Sequence, residues 1–532
     1  MFTNKKTLLA MSVASVFALS GCSSDDDKNQ VVPDPVDPPV TVIVPPEAPA
    51  ELGLVVNTSV IDSATTDVVD ATVTFLEDGV VSSNIVDVDG ETLTTTTTED
   101  GSVTFTVKDG ATLEEVTVNV TADGYVGKTF AVSLVAEEGE TSIDQVLALT
   151  SKTAEGIADT VVEATVEAGG TTSAPIEAAT EEGASSASAT VPAGVILLDE
   201  NEEPVSGEIS LNVTGADATS SAAQSIVPAN INDADAETTV KAVGVANVTM
   251  TNSEGKKIKK FSDPITVSMA IPSDTMINGE AIQTGDMLGL KSHNEDTGLW
   301  QSETNMVTVG ALNATSGTYT GSFQTSHLTF FASTAPVDVC SSGISVAVSG
   351  DDVPAKGLTV SLDSSDASYT SKISSNSSNN IVVTSGQAKK EGISSSATAA
   401  VTVTDGNGQV WFESNGEVDV CGEVAVVLAN PVTYTSEDFT VTAACSNDST
   451  QTIDMSGALV KYSLANKKKV VASGSGGTFS LADLVEGSTY NVTVNARIPL
   501  STGGSTATTT ITADGTAESI ALSAVCETVT GS

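Results

Sequence analysis

Short runs that alternate between apolar and polar residues recur along this chain, separated by turn signals. Residues 115–120 (EVTVNV) alternate with period two, and residues 71–75 (ATVTF) have the β-branched and aromatic composition of a strand. Asp-Gly pairs at 89–90, 100–101 and 109–110 are typical of turns. Aromatic residues make up only 4 % of the chain, so its cores must be built from Val, Thr, Ala and similar residues, which suit a pleated sheet. The pattern predicts an all-β protein with several tandem domains.

The N-terminus has the features of a secretory signal. Lys5 and Lys6 precede an apolar run from Leu8 to Leu19, and small residues follow it. The run is about half of the roughly 20 residues that a membrane-spanning helix needs. We therefore predict a cleaved signal peptide over residues 1–21.

The end of this signal, Leu19-Ser20-Gly21-Cys22, resembles the lipobox of bacterial lipoproteins at all four positions. The resemblance implies a diacylglycerol on the Cys22 sulfur, cleavage before Cys22 and acylation (palmitate or a similar chain) of the freed amine. A thiolate is a suitable nucleophile for the lipid donor, and several acyl chains anchor a protein stably. The alternative is an ordinary signal that a cysteine happens to follow.

The residue after Cys22 and the next segment bear on location. Ser23 stands where Asp would imply inner-membrane retention, so the family rule implies a lipid anchor in the outer membrane of a Gram-negative bacterium, facing either outward or into the periplasm.

Residues 22–50 are acidic and proline-rich, which favours a disordered, extended tether. About 28 residues at ~3.1 Å each would span roughly 90 Å.

The net charge of −48, with Arg497 as the single arginine, argues against nucleic-acid binding, because phosphate contacts need clustered Lys and Arg. The basic cluster at residues 256–260 (KKIKK) follows a predicted turn at 253–255. We interpret this cluster as a solvated turn.

Residues 51–150 are predicted to form one β-domain. The runs at 53–56 and 71–75, the turns between strands, and the ending at 122–134 resemble carboxypeptidase-regulatory-like domains, which are transthyretin-like or Ig-like β-sandwiches. The resemblance implies a spacer without catalytic residues. Asp87, Asp89 and Glu91 are possible Ca²⁺ ligands, but they lack a complete EF-type loop, so a charged hairpin turn is the preferred interpretation. No other cofactor is expected.

Residues 151–336 are predicted to form a larger β-sandwich region. Residues 153–188 are rich in Ala and Glu and are compatible with strand, short helix or both. Strand-like runs at 207–213 and 263–269, with the segment at 326–332, resemble the β-sandwich shared by ankyrins and netrin receptors over residues 189–335.

The other four cysteines lie in the last third of the chain. Cys340 and Cys421 are 81 positions apart, and so are Cys445 and Cys526. Equal spacing predicts two copies of one domain, at 337–430 and 431–532, and selects the disulfides Cys340–Cys421 and Cys445–Cys526 from three pairings. Each would tie a first strand to a last one, stabilising by at most ~4.5 kcal/mol in the chain-entropy model. A Cys₄ zinc site is the less favoured alternative.

Two shorter patterns lie within these copies. Residues 477–484 and 487–492 again resemble the carboxypeptidase-regulatory-like pattern, and residues 405–408 (DGNG) predict a hairpin.

One motif indicates chemistry. His327-Leu328-Thr329 resembles the cleavage motif of the self-processing domain in adhesion receptors. The resemblance implies that the Thr329 hydroxyl attacks the Leu328 carbonyl, with His327 as general base and backbone strain in a tight turn as a driving force. Residues 301–326 lack the family's upstream Cys and Trp. The alternative is a buried strand.

No phosphate loop, nucleophile elbow or zincin helix is present in the sequence, and two histidines, His293 and His327, are too few for a His-rich metal site. We therefore expect a non-catalytic, lipid-anchored stalk, adhesin or scaffold, with its domains end to end in a rod. Possible partners, besides the membrane, are surface glycans and other envelope proteins. The alternatives are a self-processing lipoprotein and a carbohydrate-binding surface protein.

Overall fold

The computed structural model describes residues 41–136, 140–277, 279–374 and 380–530. The predicted signal peptide, Cys22 and most of the tether lie outside these ranges. The all-β prediction is confirmed, because within these ranges short strands dominate and only two short helices occur. Residues from Pro45 to Glu527 form one compact unit, and Thr41–Val44 (β1) belongs to a second, small unit.

The first sandwich follows Pro45 and consists of two facing sheets. Its strands are β2 (Val55–Asp62), β3 (Thr72–Glu77), β4 (Val80–Val81), β5 (Ile85–Val86), β6 (Thr95–Thr97), β7 (Ser102–Val107), β8 (Glu115–Thr121), β9 (Lys128–Ser133) and β10 (Ser142–Leu149). One sheet has the order β10-β2-β7-β5, and the other has the order β4-β3-β8-β9 with β6 on β3. Alternate residues of both sheets, such as Phe75, Phe105 and Val118, are fully buried between them.

The second sandwich is larger. Its elements are β11 (Ile157–Val166), β12 (Ile176–Ala179), β13 (Ala187–Val191), β14 (Leu197–Leu198), β15 (Gly207–Ala216), α1 (Ser221–Ile226), β16 (Val240–Asn252), β17 (Lys260–Pro272), β18 (Met276–Ile277), β19 (Glu280–Ala281), β20 (Met287–Asn294), β21 (Leu299–Ser302), β22 (Val307–Asn313), β23 (Thr318–His327) and β24 (Phe330–Pro336). One long sheet runs β11-β15-β16-β24-β20-β22-β23-β17-β13-β12 around a shared apolar core. The open choice for residues 153–188 is resolved, since all the regular structure there is strand.

The third sandwich consists of β25 (Ile344–Gly350), β26 (Leu358–Asp363), β27 (Ser368–Ile373), β28 (Asn380–Val383), α2 (Ser385–Glu391), β29 (Thr398–Thr404), β30 (Val410–Glu413), β31 (Val418–Asp419) and β32 (Gly422–Leu428). The sheets β28-β25-β32 and β27-β26-β29-β30 enclose its core. The predicted hairpin at 405–408 joins β29 to β30.

The fourth sandwich consists of β33 (Tyr434–Cys445), β34 (Asp448–Ile453), β35 (Leu459–Ser463), β36 (Val470–Val471), β37 (Ser473–Ser475), β38 (Thr478–Val485), β39 (Thr489–Asn495), β40 (Thr506–Thr512) and β41 (Glu518–Ala524). Its first strand pairs with β38 and β41, and β36-β35-β39-β40 forms the other sheet. Apart from β34 on β33 and β6 on β3, these pairings repeat those of the first sandwich, where β2 pairs with β7 and β10. The likeness of residues 477–492 to the first domain therefore reflects a shared topology.

The first and last strands are parallel neighbours in three of these sandwiches: β2 with β10, β25 with β32, and β33 with β41. Both disulfides join such a pair, Cys340 to Cys421 and Cys445 to Cys526, with Cα–Cα distances of 5.5 and 5.4 Å. The pairing is the one that the equal spacing predicts, and it leaves none of these four thiols for zinc.

The two cysteine pairs have equal spacing, but they do not occupy the same positions in their sandwiches. Cys340 and Cys421 lie just before β25 and β32, at the start of their strand pair. Cys445 is the last residue of β33, and Cys526 follows β41, so the second disulfide lies at the other end of its strand pair. The two cysteine pairs are therefore not equivalent positions of one repeat.

The expected end-to-end arrangement is wrong within Pro45–Glu527, because the first and fourth sandwiches are in contact. Val55 and Val88 pack against Leu459 and Val471. Arg497 donates to the carbonyl of Ala50 at 2.6 Å. The periodicity of single strands carries no information about such contacts between domains, which is why sequence analysis did not anticipate them.

The small unit contains one strand pair, in which β42 (Glu527–Thr530) lies beside β1. Across the residues that the structure describes, no helix is long and apolar enough to cross a membrane.

Candidate functional site

The predicted cleavage motif lies between two strands of the second sandwich. His327 ends β23, and Phe330 begins β24. The N–H of Leu328 donates to Lys259 O at 2.9 Å, and Thr329 O accepts from Val248 N at 3.1 Å. Leu328 and Thr329 are buried, with 4 % and 5 % of their surface exposed. The motif is therefore part of the hydrogen-bonded interior of the sandwich.

The side chains of the motif point to separate partners. The Nε2 atom of His327 is 3.4 Å from Glu303 Oε1, and its Nδ1 atom is 3.2 Å from Thr325 Oγ1. The Thr329 hydroxyl donates to the carbonyl oxygen of His293 and lies 3.2 Å from Glu295 Oε2. The expected contact between His327 and Thr329 is thus replaced by other hydrogen bonds.

The backbone also lacks the expected strain. Neither Leu328 nor Thr329 has a positive φ, and no described peptide bond is cis. Burial lowers the pKa of the nearby His293 to about 4, so its imidazole is neutral at physiological pH. This arrangement favours the buried-strand interpretation of the motif.

The acidic turn at 87–91 uses its carboxylates for local structure. The Asp87 side chain accepts from the N–H groups of Asp89 and Glu91, both at 2.9 Å. Asp89 in turn lies 3.3 Å from Arg497 Nε. The preferred interpretation of a charged hairpin turn fits these contacts. Among the residues that the structure describes, no cluster of three or more His, Cys, Asp or Glu is arranged to hold a metal ion.

The turn that carries the basic cluster is exposed, in keeping with the interpretation of a solvated turn, and each of its lysines also has an acidic partner. Lys256 lies 2.8 Å from Asp199, Lys259 lies 2.8 Å from Glu295, and Lys260 lies 2.8 Å from Glu202. Lys257 is 3.4 Å from Asp296 and is more exposed. The cluster therefore links the β16–β17 connection to the turns that follow β14 and β20 within the second sandwich.

A polar network joins the first and fourth sandwiches. The side-chain amide of Asn57 on β2 donates to Asp144 Oδ1 at 2.9 Å and to Lys469 O at 2.8 Å. Lys461 on β35 donates to the hydroxyls of Ser102 and Thr104 at 3.2 and 3.1 Å. Burial lowers the pKa of Lys461 to about 8 and raises the pKa of Asp144.

The third sandwich extends this network. Lys356 donates to Val471 O at 2.7 Å, and its N–H donates to Asp483 Oδ2 at 2.6 Å. Lys468 donates to Thr359 Oγ1 at 3.2 Å. Burial lowers the pKa of both lysines, while the charge of Asp144 opposes that shift. These charged side chains hold three sandwiches together.

The sequence analysis missed this network. Its signals are the run of three lysines at 467–469 and the placement of Asp144 in the strand-like run 142–149 (SIDQVLAL). A charged residue within such a strand is rarely buried without a partner. Its contacts in the fourth sandwich, however, lie more than 300 positions away, and only the fold brings them together.

A cleft of about 760 Å³ opens beside this network, between the first and fourth sandwiches. Its walls carry hydroxyl, amide and charged groups and include no aromatic ring: Val68, Asp70, Asp100, Ser463, Ala465, Asn466, Lys467, Lys469, Asn491, Thr493, Thr508, Thr509 and Thr510. Two ion pairs of 2.9 Å, Lys467–Asp67 and Lys469–Asp100, bridge the two sandwiches there. The cleft offers hydrogen bonds to a polar ligand.

Comparison with known proteins gives matches among solved structures alone. No protein-family model and no curated protein sequence matches the chain. Among solved structures, BcpA, the major pilin subunit of Bacillus cereus, is 11 % identical, and the match covers 88 % of this chain and 99 % of that one, with a TM-score of 0.14.

The major pilin SpaD of Corynebacterium diphtheriae is 10 % identical over 89 % of this chain and 98 % of that one, with a TM-score of 0.15. The RrgB pilus protein of Streptococcus pneumoniae is 10 % identical over 91 % of this chain and 100 % of that one, with a TM-score of 0.16. The fold described above rests on the chain's own sheets.

Proposed function

We propose that this chain is a non-catalytic, lipid-anchored envelope protein that acts as a stalk, adhesin or scaffold. The observation that carries the proposal is the use of its charged side chains. Lys356, Lys461 and Lys469 reach from one sandwich to the next, and the Thr329 hydroxyl is bound to a backbone carbonyl. Groups that an enzyme would present to a substrate are used here to build a single block.

The sequence supports the proposed membrane anchor. Residues 19–22 match the lipobox, and the proline-rich segment after Cys22 would separate the block from the lipid. Several acyl chains on one residue would make the attachment stable. The anchor is expected in the outer membrane of a Gram-negative cell.

The anchor is tested by Cys22→Ala in the full chain, with metabolic labelling by a clickable palmitate analogue. The wild-type protein should carry the label and sediment with membranes, whereas the variant should lose the label. A labelled variant, or an unlabelled wild type, would refute lipidation at Cys22. Cys340→Ala is the matched control, because that sulfur is in a disulfide and the label should persist.

The side of the membrane decides between the proposed roles. Protease added to intact cells should degrade a stalk or adhesin that faces outward and should spare a scaffold that faces the periplasm. A periplasmic protein assayed in the same cells reports whether the outer membrane stayed closed.

The polar cleft supports a second candidate function, the binding of surface glycans. Hydroxyl and amide groups at Asn491, Thr493 and Thr508 can exchange hydrogen bonds with sugar hydroxyls, and the cleft volume is in the range of ligand sites. A glycan array probed with the full chain tests this function. Binding that Asn491→Ala reduces and Thr95→Ala, on a distant exposed strand, leaves unchanged would support it. An array without hits would reject it.

A further inference from the structure

Three side chains of complementary chemistry meet on the second sandwich: Lys152, Asp159 and Asn212. Asp159 is on β11, and Asn212 is on the neighbouring antiparallel strand β15. In this ladder Asp159 lies opposite Thr214 and Asn212 lies opposite Val161, so Asp159 and Asn212 are diagonal neighbours on one face. Lys152 reaches them from the segment that connects β10 to β11.

The carboxylate and the carboxamide are held in a fixed orientation. Asn212 Nδ2 lies 3.0 and 3.1 Å from the two oxygens of Asp159 and also donates to Thr160 O at 3.0 Å. The Thr214 hydroxyl donates to Asp159 Oδ1 at 2.5 Å. Because both hydrogens of the amide are engaged, its oxygen faces the third member of the group.

That third member is the Lys152 amine. Its Nζ atom is 3.1 Å from Asn212 Oδ1 and 3.6 Å from Asp159 Oδ1. The segment that carries it is also fixed, because the N–H of Lys152 donates to Gly124 O at 2.9 Å. The Lys152 amine is therefore at contact distance from the Asn212 amide, which is already hydrogen-bonded to the Asp159 carboxylate.

The site is partly shielded from water. Thr214 is fully buried, and the side chains of Lys152 and Asp159 are 30 % and 18 % exposed. In the described ranges, Lys152–Asp159 is the ion pair whose lysine also contacts a side-chain amide. A salt bridge needs only the two charges of Lys152 and Asp159. The Asn212 amide adds a carbonyl carbon that the lysine amine can attack.

We propose that Lys152 and Asn212 become joined by an intramolecular amide (isopeptide) bond. The Lys152 ammonium gives one proton to Asp159, and the free amine attacks Cγ of Asn212. A C–N bond forms between Nζ and Cγ, and the bond from Cγ to Nδ2 breaks. Asp159 passes its proton to the leaving nitrogen, the resulting ammonia takes up the second proton that the attacking nitrogen loses, and it departs as ammonium. No oxidant, metal or cofactor is consumed.

Proximity supplies the driving force for such a step. Reactants fixed in contact by a folded protein behave as if at very high effective concentration. The Asp159 carboxyl also faces the Nδ2 atom of Asn212, where it can stabilise the positive charge that develops on the leaving nitrogen. The product would tie the β10–β11 connection, which carries Lys152, to β15 of the second sandwich, which carries Asn212.

The test is peptide mapping of the full chain, reduced and denatured, with mass measurement of the intact chain beside it. The expected result is a branched tryptic peptide that joins the Lys152 and Asn212 segments, with no cleavage after Lys152. After allowance for the substitution, the wild-type chain should be lighter than Lys152→Arg by the mass of one ammonia. Asp159→Asn should abolish the branched peptide while its circular dichroism spectrum stays β-rich.

Lys256→Arg is the matched control, because Lys256 also pairs with an aspartate, at 2.8 Å from Asp199, and should keep the ammonia loss. Trypsin cleavage after Lys152 in the wild-type chain would overturn the proposal and leave the three residues as a non-covalent hydrogen-bonded cluster. The wild-type map decides this even if a variant fails to fold.

Discussion

Single buried charges bridge the sandwiches at a desolvation cost, and Lys461 is the clearest case. Its amine reaches from the fourth sandwich to two hydroxyls of the first, at 3.2 and 3.1 Å. Removal from water lowers its pKa to about 8 from 10.5, and the neighbouring Lys469 adds to the effect. At neutral pH the amine is still charged, so the folded state carries a desolvation cost that the unfolded chain does not.

Replacing Lys461 with methionine should therefore stabilise the protein at pH 7, by about 1–3 kcal/mol. The folded pKa lies below the unfolded one, so the cost is fully present below pH 8 and falls as the pH rises from about 8 towards 10.5. Thermal unfolding at pH 7 and pH 10 measures this: the advantage of the variant should be large at pH 7 and small at pH 10.

The control is Lys257→Met, where an exposed ion pair of 3.4 Å is lost. Exposed pairs contribute little, so the unfolding temperature of this variant should stay close to that of the wild type. An advantage of Lys461→Met that is equal at both pH values would contradict the assignment of the cost to ionisation.

Thr329 provides a second prediction at this scale. Its hydroxyl donates to the His293 carbonyl, and His327 faces Glu303 and Thr325 instead. Because the general base is directed away from the hydroxyl, the purified chain should be uncut at Leu328–Thr329. Denaturing gel electrophoresis and intact mass should give one species. A fragment that begins at Thr329, and that disappears in Thr329→Ala, would restore the self-processing hypothesis.

The hairpin between β29 and β30 is the element that joins the third and fourth sandwiches. Asp405 shapes its turn by accepting from Asn407 N and Gln409 N at 2.9 and 2.7 Å. Its second oxygen accepts from the Tyr434 hydroxyl at 2.6 Å. Burial and the Asp405 carboxylate raise the pKa of Tyr434 well above its usual value, so its hydroxyl remains a donor throughout the neutral range.

Removing this hydroxyl by Tyr434→Phe should lower the free energy of unfolding by about 1–3 kcal/mol, since Asp405 is buried and would lose a donor. Chemical denaturation of the full chain measures the loss. Tyr319→Phe is the matched control, because the structure records no side-chain hydrogen bond for Tyr319. An equal effect in both variants would show that the loss is not due to the hydrogen bond.

The two disulfides fasten opposite ends of two similar strand pairs, β25 with β32 and β33 with β41, and this difference can be tested. Removing Cys340 and Cys421 together should speed amide exchange at the start of β25 and β32. Removing Cys445 and Cys526 should speed exchange at the end of β33 and β41. Hydrogen exchange followed by mass spectrometry locates the change. Loss of protection at the same end in both variants would contradict the assigned positions.

Strands and turns were the predictable part of the fold, because they depend on neighbours in sequence. The alternation at 115–120 became β8, and the Asp-Gly-Asn-Gly turn became the β29–β30 hairpin. The disulfide partners also followed from spacing. The placement of Cys445 at the end of β33 did not follow from the spacing, because equal spacing carries no information on where a strand begins or ends.

The candidate sites were less predictable. His327 and Thr329 are adjacent in sequence, yet their side chains hydrogen-bond different neighbours. The sequence does not predict a contact between Asp159 and Asn212, because they become neighbours only through the register of β11 and β15. Contacts of this kind depend on strand pairing, and a single sequence does not reveal it.

For the whole block, the contact between the first and last sandwiches depends on the segment before β2. Arg497 donates to Ala50 O at 2.6 Å and to Gly457 O at 3.1 Å. Gly457 lies directly against the carbonyls of Pro49 and Ala50, where a Cβ atom would collide with the backbone. A glycine is therefore required for close approach, although its own φ is ordinary.

Gly457→Ala should displace this segment and weaken the contact between the two sandwiches. The expected result is faster protease cleavage near residues 45–53 with the sandwich cores still protected. Gly53→Ala serves as the control, because a Cβ atom there meets nothing within 4 Å. Unchanged cleavage in Gly457→Ala would show that the segment does not depend on this approach.

The disulfides have a mechanical consequence. A pull on the chain from both sides would enter at Cys340, cross to Cys421, follow the backbone to Cys445, and cross again to Cys526. Each bridge spans 81 positions, so two long loops carry none of the tension. Between Cys340 and Cys526, only the segment from Cys421 to Cys445, which contains β32 and β33, transmits it through the backbone. The third and fourth sandwiches would thus resist extension through covalent bonds, even while their strands opened and closed.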